Sequence, residues 1–164
     1  MMIAARVTAL AALALAMLTA PGIAAAQNSQ ADQGDIDKSI TANVGDSAKF
    51  HQVMTSLQQA VAKHDAAAVA ALVSYPITVN PHTKRAVRIR TTKAFVASYD
   101  KIITPHVADI IEKQKYEDLF VNYQGAMFGS GELWIAGICR DKECKQSDIR
   151  IKTIQNTSTH RPLA

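Results

Sequence analysis

Two adjacent side chains, Tyr99 and Asp100, are of the types that could transfer a proton. They lie in a segment with helical periodicity, in which Tyr99 falls on the apolar face and Asp100 about 100° round from it. A carboxyl group in an apolar pocket has its pKa raised by desolvation and can then act as an acid or a base. The alternative is an exposed helix carboxylate beside Lys101, which is the common environment of an aspartate.

Trp134, the only tryptophan, and Asn122 lie in two strand-like segments that are close in the sequence. If both face the concave side of one sheet, they line an aromatic and amide pocket for an apolar or sugar-like ligand. The alternative for Trp134 is a core position between the sheet and the helices. Glu132, at the start of the same strand, is interpreted as a surface charge.

A basic cluster precedes these residues and comprises Lys84, Arg85, Arg88 and Arg90. Three of its members share one face if the segment is a strand. Such a surface can bind an anionic polymer, a lipid headgroup or an acidic partner protein. The alternative is an edge strand whose charges discourage pairing with other chains. The net charge of the whole chain, +4, is too small to indicate nucleic-acid binding.

The sequence predicts no metal site and no cofactor. The histidines are scattered, with no pair at helical metal-ligand spacing and no obvious carboxylate companion. Ser130, between two glycines, lacks the strand-turn-helix setting of a hydrolase nucleophile and is interpreted as part of a turn. The histidines are His51, His64, His82, His106 and His160.

Cys139 and Cys144 are the two cysteines of the chain. In an oxidising compartment a pair this close is expected to form a disulfide that pins a hairpin loop. Closing so short a ring contributes only about 2 kcal/mol to stability. A metal site would need more ligands, and a redox pair is more often separated by two residues.

The first 26 residues have the pattern of a secretory signal peptide. Arg6 precedes an apolar run over 7–18, and small residues precede Gln27, so that cleavage after Ala26 is predicted. The apolar run is shorter than the roughly 20 residues that a membrane span needs. The protein is therefore expected to be periplasmic or secreted by a bacterium, without a membrane span.

Beyond the signal peptide, residues 1–26, the chain is expected to hold one domain. Residues 27–46 are predicted to be a flexible polar leader, because they have few apolar side chains to offset the entropy of ordering. Residues 47–156 are long enough for one α+β domain with one core, and residues 157–164 are predicted to be a flexible tail.

Within this domain the apolar pattern predicts helices first and strands second. Helices are expected from Ser47, after a cap at Asp65, after a cap at Thr91 or Thr92, and from Pro105. An antiparallel meander after these helices indicates an α+β fold. The predicted strands are 75–80 and 86–90, as a hairpin, followed by 119–123, 126–128, 132–138 and 149–154.

Three segments, 70–79, 95–102 and 125–135, resemble small exported bacterial proteins of uncharacterised role in the nuclear transport factor 2-like superfamily. The resemblance covers about residues 48 to 156 and includes the order of helices and strands. It implies helices packed in the concave face of a curved antiparallel sheet, in a cone whose open end often holds a pocket. Many relatives also dimerise through the outer face of the sheet, so a homodimer is expected.

The resemblance implies a function only in outline, because members of this superfamily include both enzymes and binding proteins. The first expectation is a binding or accessory protein that holds a small apolar ligand or a partner protein. The second is a cofactor-independent isomerase, hydratase or cyclase that uses the pocket. The third is an inhibitor or immunity protein that acts through the surface loop 82–90. No catalytic set of the superfamily's enzymes maps onto this sequence, which disfavours the second.

Overall fold

The computed structural model describes residues 24–157 apart from Lys145, with side chains described from Gln33 onward. The predicted signal peptide therefore lies outside the described residues except for its last three, and the predicted tail lies outside them except for Thr157. None of the helices between residues 24 and 157 combines the length and hydropathy needed to cross a bilayer.

Six helices occupy the first two thirds of the described chain, and their starts follow from local capping chemistry. The side chains of Asp46, Asp65, Thr91 and Thr104 each accept a hydrogen bond from a backbone N–H in the first turn of a helix. The predicted caps at Asp65 and Thr91 are thus confirmed. The helices are α1 (Ala24–Asn43), α2 (Ser47–Ala62), α3 (Ala66–Ala71), α4 (Thr92–Ala97), α5 (Tyr99–Ile102) and α6 (Pro105–Lys113).

The six described strands form one sheet in the order β2-β1-β6-β5-β4-β3. The predicted hairpin of β1 with β2 and the predicted meander from β3 to β6 are both present, and they pair antiparallel. Strands β1 and β6 pair parallel, so the sheet is mixed and not purely antiparallel as predicted. The strands are β1 (Val73–Val79), β2 (Val87–Ile89), β3 (Phe120–Asn122), β4 (Gly125–Phe128), β5 (Leu133–Cys139) and β6 (Ser147–Ile154).

The two faces of the sheet differ in burial, as shown by residues that lie opposite each other on neighbouring strands. One row, buried against the helices, comprises Phe128, Leu133, Ile154 and Val79. The next row points the other way, because successive side chains of a strand alternate between faces. This second row, the outer row, crosses all six strands through Phe120, Met127, Trp134, Thr153, Thr78 and Arg88.

The predicted flexible leader is not what the structure shows, because α1 covers most of residues 27–46. Ile40 and Val44 are buried in the main core, with 0% and 5% exposure. The Tyr116 hydroxyl also donates a hydrogen bond of 2.6 Å to Asp37 Oδ1. The few apolar side chains of this segment are therefore spaced to reach the core, which low overall hydrophobicity conceals. The domain begins before Ser47.

Burial, followed by the hydrogen bond to Asp37, raises the pKa of Tyr116 well above its usual range. The neutral phenol is thus favoured in the folded state. The raised pKa of Tyr116 stabilises the folded state fully below the pKa of about 10 that tyrosine has in the unfolded chain. This stabilisation is lost as the pH rises through the pKa of Tyr116 in the folded state. We expect the free energy of unfolding to fall more steeply above pH ~10 in the wild type than in Tyr116→Phe.

Urea unfolding at neutral pH and at several pH values above ~10 measures this difference. The matched control is Tyr123→Phe, because Tyr123 is 84% exposed. Its pH dependence should follow that of the wild type. Equal slopes for all three proteins would show that Tyr116 is not held neutral by the fold.

Candidate functional site

The four predicted pocket residues do not meet in one site. Tyr99 is buried in the helical layer with 4% exposure, whereas the side chain of Asp100 is 79% exposed. Asn122 lies in edge strand β3 and accepts a hydrogen bond from the backbone N–H of Gln124. Trp134 is half-buried in the outer row, on the face of the sheet away from the helices. The pocket that these residues were expected to line is therefore not formed.

The interior between helices and sheet is filled by side chains. The largest of them include Phe50, Phe95 and Phe128, each with 0% exposure. Phe95 packs edge-on against Tyr99, with ring centroids 6.4 Å apart. The apolar space that the sequence assigns to a ligand is occupied by the protein's own core.

Tyr99 and Asp100 nevertheless belong to a small polar cluster with His64. The His64 ring meets the Tyr99 ring edge-on at 4.9 Å, and its Nε2 lies 3.0 Å from Asp100 Oδ1. The Tyr99 hydroxyl is buried and has no hydrogen-bond partner among the described residues. Burial, then the negative charges of Asp100, Asp65 and Glu112, raise the pKa of Tyr99. Tyr99 is thus held as a neutral phenol.

Glu132 differs most from its predicted role, because it is a buried carboxylate and not a surface charge. Its residue exposure is 0%, and Oε2 accepts a hydrogen bond of 2.6 Å from the backbone N–H of Ser130. Oε1 has no hydrogen-bond partner among the described residues and lies 3.7 Å from Nε2 of His106, which is 45% exposed. Gly129, with φ of +60°, allows this approach, since a Cβ there would lie 2.5 Å from Oε2.

A polar groove of about 930 Å³ lies where the N-terminal end of α2 meets the hairpin between β5 and β6. Its walls come from the α1–α2 connection, from α2, from Leu72, and from the start of β6 with the preceding loop. Five of the lining residues carry formal charges: Asp46, Lys49, Arg140, Asp148 and Arg150. None of the predicted pocket residues lines it.

Most of the charges in this groove are held in place by each other. The Arg140 guanidinium donates to Asp148 Oδ1, and Arg150 lies 3.9 Å from the other carboxylate oxygen. Arg150 also donates a hydrogen bond of 2.7 Å to the carbonyl oxygen of Ala71. The bond from Arg140, together with the positive charges of Arg150 and Lys49, holds the pKa of Asp148 below its usual range despite some desolvation. Asp148 therefore stays ionised and holds Arg140, while the Ala71 carbonyl holds Arg150.

The predicted disulfide between Cys139 and Cys144 is confirmed, and Cys144 contributes to the wall of the groove. Its loop is also held by Asp141, which accepts a hydrogen bond from the Gln146 backbone. The disulfide thus keeps the hairpin end of the groove in one shape.

The predicted basic cluster is exposed, but only one of its members lies in a strand. Arg88 is in β2 opposite Thr78, and so belongs to the outer row. Lys84 and Arg85 lie in the turn between β1 and β2, and Arg90 directly follows β2. The charges therefore lie around one edge of the sheet.

The comparisons with known proteins give no relative. The chain matches no protein-family model, no curated protein and no solved structure. Within the described part of the chain, no three side chains of the metal-binding types are grouped closely enough to form a metal site.

Sequence reasoning missed the carboxylate partners of two histidines and the whole of the groove. His64 is 36 positions from Asp100 and His106 is 26 from Glu132. No local spacing indicates such pairs, since only the packing of helices on the sheet brings them together. The groove has one local signal in the sequence, the disulfide loop, but two cysteines at this spacing indicate only a structural clamp.

Proposed function

We propose that this protein is an exported binding or accessory protein that holds a small anionic ligand in the groove beside the disulfide hairpin. The observation that carries the proposal is the groove itself, a concave site with preset charges. Ligand sites are commonly concave and hold a few fixed polar groups that determine which ligand binds. The disulfide agrees with the predicted export to an oxidising compartment.

The charges of the groove favour an anion. Three of the lining side chains are cationic and two are carboxylates. Asp148 is already bonded to Arg140, and Asp46 accepts a hydrogen bond of 3.0 Å from the Lys49 backbone. Lys49 has an exposed side chain in the groove and lies close enough to Asp148 to lower its pKa. A carboxylate or phosphate group there would bond to Lys49 and Arg140.

We also propose that the chain is a cone-shaped member of the nuclear transport factor 2-like superfamily, and the order of its helices and strands supports that membership. On this proposal the ligand site lies beside the hairpin of β5 and β6, and not inside the cone. The ligand is then polar, in contrast to the apolar one expected from the sequence.

The proposal is tested by titrating ¹⁵N-labelled residues 27–164 with phosphate and with succinate, using glycerol as a neutral control. We expect amide shifts to cluster around Lys49, Arg140 and Arg150 for the two anions only. Lys49→Gln is expected to weaken binding about five- to thirtyfold, because a charge-assisted hydrogen bond of about 1 to 2 kcal/mol is lost in an open groove.

Lys38→Gln is the matched control, because it removes the same charge from an exposed lysine of α1 that pairs with Asp35. It should bind both anions as the wild type does. Shifts scattered over the surface, or equal losses in the two variants, would show that the groove is not a specific site.

A second candidate function, acid–base catalysis, is favoured by one specific observation. One oxygen of the buried Glu132 carboxylate has no hydrogen-bond partner among the described residues and lies 3.7 Å from Nε2 of the half-exposed His106. A histidine oriented by a buried carboxylate can act as a general base towards a molecule at the surface. Its first test is the stability of Glu132→Gln beside that of Glu132→Ala, because a buried charge that contributes nothing to stability favours a role in chemistry.

A further inference from the structure

The outer row forms a surface that the proposed groove does not use. It crosses the full sheet, which at about 4.8 Å per strand spacing is roughly 24 Å wide. Phe120 at one edge is 55% exposed, and Arg88 at the other edge is exposed. Between them Met127, Trp134, Thr153 and Thr78 are half-buried in the order of the strands.

One half of this surface is aromatic and apolar. Trp134 and Met127 lie opposite each other, and Phe120 lies opposite Met127 on the next strand. Gly131 lies beside the indole, since a Cβ there would be in van der Waals contact with Trp134 Nε1 at 3.7 Å. Tyr123, in the turn that follows β3, is also 84% exposed. Flat rings of this kind stack on other flat or CH-rich surfaces.

The other half of the surface is cationic. Arg88 lies at its edge, and three further basic residues surround that edge: Lys84, Arg85 and Arg90. Lys152 is also exposed, at the point where the pairing of β5 with β6 shifts register. Asp148 is the one acidic residue in the six described strands, and it is already bonded to Arg140. The basic edge therefore has no counter-charge within the described sheet.

We propose that this outer face binds an anionic polysaccharide, with the aromatic side chains stacked on sugar rings and the basic edge paired with carboxylate or sulfate groups. The threonines between the two halves supply hydroxyls that can both donate to and accept from sugar hydroxyls. This choice of polyanion rests on the export in the proposed function, because an exported protein meets anionic polysaccharides outside the cytoplasm. The groove plays no part in this binding.

A second copy of the chain fits this surface less well. Two copies packed face to face about a twofold axis along the row would place Arg88 against Arg88. An axis along the strands would place the apolar half of one copy on the threonines and arginine of the other. Neither arrangement brings an acidic group to the basic edge, whereas an anionic polysaccharide supplies one along its whole length.

The test uses Trp134 itself as the reporter, because it is the only tryptophan. Residues 27–164 are titrated with heparin, which carries sulfates, and alginate, which carries carboxylates, with neutral dextran as the control. We expect a change in tryptophan fluorescence with at least one of the two anionic glycans and none with dextran. Phe120→Ala should weaken that binding about fivefold without changing the charge of the protein.

Two charge variants separate a specific face from general attraction to a basic protein. Arg88→Gln should weaken binding and reduce its salt dependence, whereas Lys38→Gln should leave both unchanged. Circular dichroism and thermal unfolding establish that Phe120→Ala, a change at an exposed edge position, is folded.

Several results would overturn the proposal. These are no binding of either anionic glycan, equal losses in Arg88→Gln and Lys38→Gln, or a thymidine oligonucleotide that binds as tightly and depends on the same residues. Sedimentation equilibrium supplies one more, a dimer of the wild type that Phe120→Ala dissociates, because the face would then be the interface between two copies.

Discussion

Glu132→Ala is expected to destabilise the protein by about 2 to 3 kcal/mol, whereas Glu132→Gln is expected to be neutral or stabilising. The carboxylate is fully buried and bonds to the Ser130 backbone through one oxygen. Alanine leaves that N–H without its acceptor and leaves a cavity in place of the side chain. Glutamine keeps an acceptor and removes the charge that is costly to bury.

The difference in stability between these two variants separates the effect of the charge from that of the hydrogen bond. Urea unfolding of both variants measures them, and Glu117→Gln, the same change at an exposed position, should stay within about 0.5 kcal/mol of the wild type. If Glu132→Gln is neutral or stabilising, the buried charge has no structural benefit, and a role towards His106 in chemistry becomes its best explanation.

The contrary result is equally informative. If Glu132→Gln costs as much as Glu132→Ala, the ion pair with His106 stabilises the packing of α6 against the turn before β5. His106→Gln would then show a matching loss of stability. In that case the acid–base function loses the observation that favours it.

Ile40→Ala is expected to destabilise the protein by about 2 to 5 kcal/mol, the range for removing a large aliphatic side chain from a core. Ile40 has 0% exposure, although it lies in the segment that the composition predicts to be a flexible leader. Since a domain is stable by only about 5 to 15 kcal/mol, this loss is a large part of the total. Chemical denaturation of the purified variant measures it.

The neighbouring exposed position provides the control, because Thr41→Ala should change stability little. A chain that begins at Ser47 should lose the contributions of Ile40, Val44 and the Asp37–Tyr116 hydrogen bond together. An unchanged stability of Ile40→Ala, or of the shortened chain, would mean that α1 does not pack on the core in solution.

Local features of this fold were predictable because their causes are local. The caps at Asp65 and Thr91 depend on one side chain and the first turn of its own helix. The disulfide depends on two cysteines that a short hairpin necessarily brings together. The strand segments and their meander follow from alternation and from the turns that separate them.

The candidate sites were not predictable in the same way. Tryptophan is a residue type that often lines pockets, but the register of β5 decides whether Trp134 faces the helices or the solvent. A shift of one residue would move its side chain to the other face of the sheet. Tyr99 and Asp100 are adjacent in sequence, but one is buried and the other exposed because α5 presents them to different surroundings.

The sequence by itself determined the α+β class, the disulfide, most helix starts and most strands of this protein, since each depends on residues close together in the chain. Only the tertiary structure decided that α1 joins the core, that Glu132 is buried beside His106, and that charges from α2 and β6 form a groove. These depend on contacts across tens of residues, and the energy of such contacts does not appear in any local pattern.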